Sequence, residues 1–418
     1  MCDKRHPIVI RSDMATMQIT VLPELGRDMA NNLKKTTALG LIAACAFVGG
    51  AQAGGFARGE ADTDILYEDG DVAARGGYVY VMPHRGYETI DGSTSTDGDH
   101  TENYSVPSFA AKFRASDNFS CALTYTQPFG AKTAYGDDAQ AADKAADVAT
   151  GLPPYTSIGG NAVITSQFKT EEFGGTCAVN FDVGPGGLYL IGGVFTQSFD
   201  YTESKTYGTL DLQDDSAFGY RFGAGYEIKE YALRAELMYR SQVDHDASGV
   251  FTLESALFGA ALGGVPVGTE ISSSGSGSLP QSLELSLQSG IAPGWLAFGS
   301  IKWTDWSVLQ TLNYTIDGVG DFEKNFFWRD GWTISGGVGH TFTDKVSGAV
   351  SLTWDRGVGT GADIITDTWT LGAGTQIKAG PGVVRLGAAV SYLTEGEQST
   401  DDGADFDATV GGDWAYAV

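Results

Sequence analysis

Apolar and polar side chains alternate one for one along most of this chain. From Leu279 to Ser307, Leu283, Leu285 and Leu287 alternate with Ser282, Glu284, Ser286 and Gln288, and Ile291 follows. Ala292-Pro293-Gly294 interrupts the pattern, which resumes as Trp295, Ala297, Gly299, Ile301 and Trp303 against Ser300, Lys302 and Thr304. A period of two on both sides of a turn predicts a β-hairpin with one apolar and one polar face. Trp303 and Trp306 lie beyond Ile301 at one end of the apolar row, the expected place of an interfacial aromatic girdle.

The same unit recurs down the chain. Phe173, Gly175, Cys177, Val179 and Phe181 form one apolar row, and Phe218, Tyr220, Phe222, Ala224, Tyr226 and Ile228 another. Further rows run through Tyr231–Tyr239, Trp332–Phe342, Val346–Trp354, Trp369–Ile377, Val384–Tyr392 and Trp414–Val418. The count is about fourteen strands, with short turns alternating with long loops and no second sheet to cover the apolar rows. The fold class expected is all-β: a transmembrane antiparallel β-barrel of about 14 strands, apolar rows toward lipid and polar rows toward the lumen.

Several segments depart from this alternation. Gly54 to Ala74 is acidic and unpatterned; inside a barrel it would fold inward as a short N-terminal hatch, its carboxylates meeting lumen Arg and Lys. The first strand is expected over Gly76–Ile90, and a later one over Phe119–Phe129 contains Pro128, which cannot donate to a ladder and marks a break. Ala139 to Val148 reads as a small helix in a long loop. Val250 to Ser278 reads as a second long loop, with an apolar first half that fits no strand pattern.

Lys34-Lys35, the apolar run Thr36–Val48 and Ala51-Gln52-Ala53 form a signal peptide over residues 29–53, so the exported chain is expected to begin at about Gly54. Ile42-Ala43-Ala44-Cys45 resembles a lipobox, but it would leave a core of only about six residues, short for a signal peptide. Residues 1–28 carry no expected element and read as an upstream extension before a start at Met29. Domains are therefore 1–28 extension, 29–53 signal peptide, 54–75 hatch and 76–418 barrel.

The presequence takes six Lys/Arg and four Asp/Glu with it, which leaves 20 basic against 48 acidic side chains and a net charge of −28. That balance disfavours nucleic acid as a partner. Cys121 and Cys177 remain after export into an oxidising compartment, on apolar rows of neighbouring strands. A bridge between them is conceivable, but the geometry it demands favours two small apolar residues facing lipid.

Catalytic chemistry has little support. His84, His100, His245 and His340 are scattered without metal-ligand spacing, and no G-x-S-x-G occurs. No enzyme activity, cofactor or metal is expected. Acid clusters such as Asp211, Asp214, Asp215 and Asp401, Asp402, Asp405 read as solvated loop tips. Two features go beyond a generic barrel: the hatch-sized segment, and an outer loop that is apolar at Phe251, Leu253, Leu257, Phe258, Leu262, Val265 and Val267. An apolar outer loop packs on another loop or holds something apolar. Arg221, Glu227, Arg234, Glu236, Arg240, Lys302 and Asp305 are expected lumen charges. They could line the constriction of a polar-solute porin, but internal ion pairs holding barrel and hatch are the preferred reading. A structural or adhesive barrel is a third possibility.

The run LPQSLELSLQSGIAPGWLAFGSIKWTDW resembles the corresponding hairpin of the FadL/TodX family of outer-membrane transporters of long-chain fatty acids and other hydrophobic compounds. VPSFAAKFRASDNFSCALTYTQPFG, FGYRFGAGYEIKEYALRAELMYRSQVDHDASG, NFFWRDGWTISGGVGHTFTD and the ending DWAYAV are similar in the same order. The resemblance implies a fourteen-stranded barrel in a Gram-negative outer membrane and an N-terminal hatch. It also implies a hydrophobic groove between outer loops, and lateral exit near a kink in the third strand. Pro128 and Gly130 are the candidate kink, and the 251–267 stretch the candidate groove lining. Implied partners are a hydrophobic small molecule (a fatty acid or hydrocarbon), outer-membrane lipid and the barrel-assembly machinery. The chain departs from the family pattern in its shorter hatch, which lacks an Asn-Pro-Ala element, in a short loop after Phe199, and in ending on Val418.

Overall fold

The computed structural model describes residues 8–13, 16–21, 54–151, 155–380 and 382–418, the first two stretches as backbone only. The expected signal peptide and its cleavage site lie outside the described residues. Residues 8–13 and 16–21 pair as an antiparallel hairpin, Ile8 opposite Val21, where no element was expected; their Val, Ile and Thr content suits a strand.

From Val72 onward the strands form a closed antiparallel barrel of fourteen. They are β1 (Val72–Pro83), β2 (Tyr104–Ser116), β3 (Phe119–Thr126, then Gly130–Ala134), β4 (Val163–Val183) and β5 (Gly186–Lys205). Next come β6 (Gly208–Ile228), β7 (Leu233–Arg240, then Val243–Leu253), β8 (Glu270–Leu279, then Ser282–Ala292) and β9 (Trp295–Thr304, then Thr311–Ile316). The remainder are β10 (Gly320–Asn325, then Gly331–Thr341), β11 (Val346–Asp355), β12 (Thr368–Ala379), β13 (Gly382–Leu393) and β14 (Asp413–Ala417). β14 closes the barrel against β13 and β1, with Ala415 opposite Pro83 and Ala417 opposite Val81. Helix α1 (Asp137–Ala149) sits in the loop after β3, and α3 (Ala256–Ala261) in the loop after β7, with a short α2 (Tyr155–Ile158) between them in sequence. Among the described residues no helix is long and apolar enough to cross a membrane.

The apolar rows face outward. Leu283, Leu285, Leu287 and Ile301 are exposed, as are Phe218, Tyr220, Phe222, Leu352 and Leu371. Ladder register brings Trp303 opposite Trp332, Trp354 opposite Trp369 and Tyr392 opposite Trp414, which builds an aromatic belt. Trp303 and Trp354 donate their indole N–H to Asp330 (2.9 Å) and Asp367 (3.0 Å), as aromatic side chains at a wet boundary do. Trp306 is a correction. The 3₁₀ turn Trp306–Val308 breaks the period and swings this indole inward, where it is fully buried.

Strand bounds also differ from expectation. β1 begins at Val72 rather than Gly76, and most of 250–278 is strand, with only residues 254–269 left as loop. β4, β5 and β6 are 20–21 residues long, about twice the 9–11 residues a strand needs to cross a bilayer. Their upper halves therefore stand above the membrane, with only a short connection between β5 and β6.

Cys121 and Cys177 form a disulfide, against the expectation of two separate thiols. They are direct partners in the β3–β4 ladder, a register that strand adjacency alone does not specify. The bridge closes a separation of 56 residues. Replacing both by Ser is expected to lower barrel stability by about 2–4 kcal/mol, read as a lower temperature for conversion of the folded band on a denaturing gel.

Candidate functional site

The lower lumen is filled by the hatch. Its 3₁₀ turn, Thr63–Tyr67, buries Ile65, Leu66 and Tyr67 against Ala110, Ala122 and Ala178, inward positions whose small side chains leave room for it. Charge fixes its orientation. Arg75 binds Asp62 at 2.7 Å and also Glu68; Arg234 binds Asp64 at 2.9 Å; Lys302 meets Glu60, and Lys229 meets Asp69. Arg221 and Arg240 share the buried carboxylate of Glu172, Arg240 at 2.9 Å. Glu227 accepts from the Tyr189 hydroxyl at 3.4 Å, Glu236 is buried, and Asp305 accepts from Gln281 at 2.9 Å and Ser307 at 2.7 Å. Arg234 and Lys302 are thus occupied by hatch carboxylates and Arg221 and Arg240 by a wall carboxylate, so none of the four faces an open pore as a bare cation.

Above Tyr125 the wall has a gap. β2 and β3 pair from Ser116–Phe119 up to Phe109–Tyr125, after which β3 is interrupted until Gly130. Residues Tyr104 to Ser108 of β2 keep their partners on β1 but have none on β3. The hatch fills the vacant ladder positions: Arg58 N–H donates to Pro128 O (2.8 Å), Gly130 N–H donates to Phe56 O (3.0 Å), and Ala57 bridges Phe129. A Cβ at Gly59 would come within 2.7 Å of both Thr126 Oγ1 and Val106 Cγ1, so only glycine lets the hatch backbone pass between the two edges.

Phe56 anchors this segment in a cluster of rings. Its centroid lies 4.6 Å from Trp328, 4.8 Å from Phe168, 5.8 Å from Phe326 and 6.1 Å from Trp306. Directly above is a cavity of about 290 Å³, at the small end of the range for small-molecule sites. The hatch residues Gly54 to Phe56 border it below, and Phe168, Phe199, Tyr201, Leu212, Leu309, Leu312 and Phe326 supply apolar wall. Tyr87, Tyr135, Asp363, Ile364 and Phe406 come from outer loops. His100 stacks against Tyr87 at 4.6 Å, and burial lowers its pKa to about 4, so it stays neutral.

The seven apolar positions around 251–267 lie elsewhere. Phe251, Leu253 and Phe258 are buried, with Leu262 and Val265 packed against them, and Phe258 stacks on Tyr207 at 5.1 Å. Leu257 and Val267 are 57% and 53% exposed. None of the seven borders the cavity; α3 braces the tip of the β5–β6 hairpin from outside. What the sequence reading missed are Phe168, Phe199 and Tyr201 on the projecting parts of β4 and β5. The length of those strands was the available signal.

Asp363, in the loop between β11 and β12, accepts the Trp328 indole N–H at 2.8 Å, and burial raises its carboxyl pKa to about 7. A raised acid pKa means the folded loop holds its proton more tightly than the unfolded chain. Its packing is then strongest below about pH 4 and weakens as pH rises through about 7. Trp328 emission is expected to shift red between pH 5 and pH 8 in the wild type, and Asp363→Asn is expected to abolish that difference.

The family profile described as "Outer membrane protein transport protein (OMPP1/FadL/TodX)" matches residues 56–347. The chain belongs to this family. FadL/TodX members are outer-membrane transport proteins, and the fourteen-stranded barrel described above is this chain's version of that fold. A Pseudomonas aeruginosa FadL homologue matches with a TM-score of 0.63 at 15% identity, covering 91% of this chain and 96% of that one. The Ralstonia pickettii toluene transporter TbuX matches with a TM-score of 0.53 at 15% identity, covering 84% and 90%. The P. putida toluene transporter TodX gives 0.55 at 11% identity, over 84% and 90%. At these identities the likeness concerns the fold. Among curated proteins no relative matches the chain.

Proposed function

We propose that this FadL/TodX-family barrel takes up a hydrophobic small molecule, a fatty acid or aromatic hydrocarbon, by passive transfer. The ligand enters the cavity between the outer loops and the hatch, then leaves sideways through the β2–β3 gap. The observation that carries this reading is the pairing of Phe56–Arg58 with Pro128–Gly130: the segment below the cavity is the one that plugs the gap in the wall. Movement of one short segment would join cavity and gap. Burying about 200 Å² of apolar ligand surface would supply about 5 kcal/mol, and lateral exit spares the ligand the charged lower lumen. TbuX and TodX, toluene transporters of the same fold, support the substrate class.

The porin reading fares worse because the hatch and its ion pairs fill the lumen. Mass spectrometry of the protein purified in mild detergent tests the proposal. A stoichiometric apolar molecule supports it; an empty protein that shows steady ionic conductance in bilayers favours the porin.

A further inference from the structure

The hatch sets Glu60, Asp62, Asp64, Glu68 and Asp69 on cations of the wall or its neighbours, but its own cation is treated differently. Among the described residues no carboxylate lies within ion-pair distance of the Arg58 guanidinium, and its Nε is buried without a hydrogen-bond partner. The group sits over the Tyr104 ring, 3.8 Å from its centroid. Tyr104 lies on β2 opposite Val81 of β1, while the Arg58 backbone is bound to Pro128 in the break of β3. One residue therefore spans the gap, main chain on one edge and side chain on the other. Gly130 leaves it space: a Cβ there would lie 2.7 Å from Arg58 Nη1.

A cation–π contact recovers only part of what a desolvated guanidinium loses. A planar fork of donors is matched far better by a bidentate oxyanion. In a chain with 52 acidic and 26 basic side chains, a hatch cation kept clear of all carboxylates is left able to bind an anion from outside.

We infer that Arg58 is an anion-selecting residue of the lateral gap, accepting the carboxylate or sulfonate head of an amphipathic ligand as it passes between β2 and β3. This rests on the reading of that gap as the exit. With no ligand present the guanidinium rests on Tyr104; a ligand head group competes for it, while the apolar tail runs past Val106 toward lipid. Neutral hydrocarbons obtain no such contact.

The test uses the full protein in proteoliposomes at about pH 8, where a carboxylic acid is ionised, with a fluorescent alkyl carboxylic acid and the alcohol of equal length as probes. Rates are taken above those of protein-free vesicles. The wild type is expected to pass the acid about tenfold faster than the alcohol. Arg58→Gln should erase the preference by slowing the acid alone, and Arg58→Lys should keep part of it. Gly130→Ala, which displaces the guanidinium without removing it, should act like Arg58→Gln. A wild type without preference, or a preference that survives Arg58→Gln, overturns the inference. Entry of both probes at equal rates leaves the uptake reading standing, whereas entry of neither overturns that reading as well.

Discussion

Phe56→Asp is expected to show steady ionic conductance where the wild type is expected to be nearly silent. Phe56 is ringed by Phe168, Phe326, Trp306 and Trp328 at 4.6–6.1 Å, and a carboxylate cannot be held among those rings without a partner. The cost of burying an unpaired charge there is at least several kcal/mol. That exceeds what the hydrogen bonds between 56–58 and 128–130 return at about 1 kcal/mol each. The segment Gly54–Gly59 should therefore leave its seat and pull on the adjoining ion pair between Glu60 and Lys302, so that the hatch no longer fills the lumen and ions pass beside it. Barrel assembly should be unaffected, because no pairing between two of the fourteen strands involves Phe56; its one ladder contact is its own carbonyl on Gly130 N–H. Planar-bilayer recording checks the prediction; a variant as silent as the wild type would show that Phe56 does not hold the hatch in place.

The second large effect concerns the cavity wall. Phe199→Asp is expected to reduce uptake of an apolar probe at least about tenfold, while Leu257→Asp leaves it within about twofold. Phe199 borders the cavity and packs at a tilt against Phe168 at 5.6 Å and His245 at 5.5 Å, so the new carboxylate would face the ligand. Leu257 points away from the cavity and is already exposed. Uptake by proteoliposomes of matched barrel content separates the two. Equal loss in both variants would place the pocket at the 254–269 loop instead.

The membrane-facing half of this fold was legible in the sequence because lipid imposes a strict rule. Every second residue of a crossing strand must be apolar, so the rows from Phe218 to Ile228 and from Leu283 to Leu287 announce themselves. Trp306 escaped because one 3₁₀ turn resets the phase, and an indole at a strand end looks the same facing lipid or facing a core. The disulfide escaped because alternation specifies faces but not register. The cavity was hardest to see. Its walls are ordinary strands carried beyond the membrane, where Phe199 and Tyr201 alternate as they would in contact with lipid but on the inward phase. The apolar loop drew attention for a sound reason, since exposed Leu and Phe require an explanation; the explanation is packing against Tyr207 and the β5–β6 tip.

The central claim is that the hatch segment must leave the β2–β3 gap for a ligand to pass. Ala57 and Phe129 are bridge partners across that contact, so Ala57→Cys with Phe129→Cys, in a chain whose own cysteines are replaced by Ser, can be locked by oxidation and released by a thiol reductant. Uptake of an apolar fluorescent probe is expected to be lost in the oxidised protein and restored on reduction. Equal uptake before and after reduction, with the cross-link verified, would contradict passage through that gap.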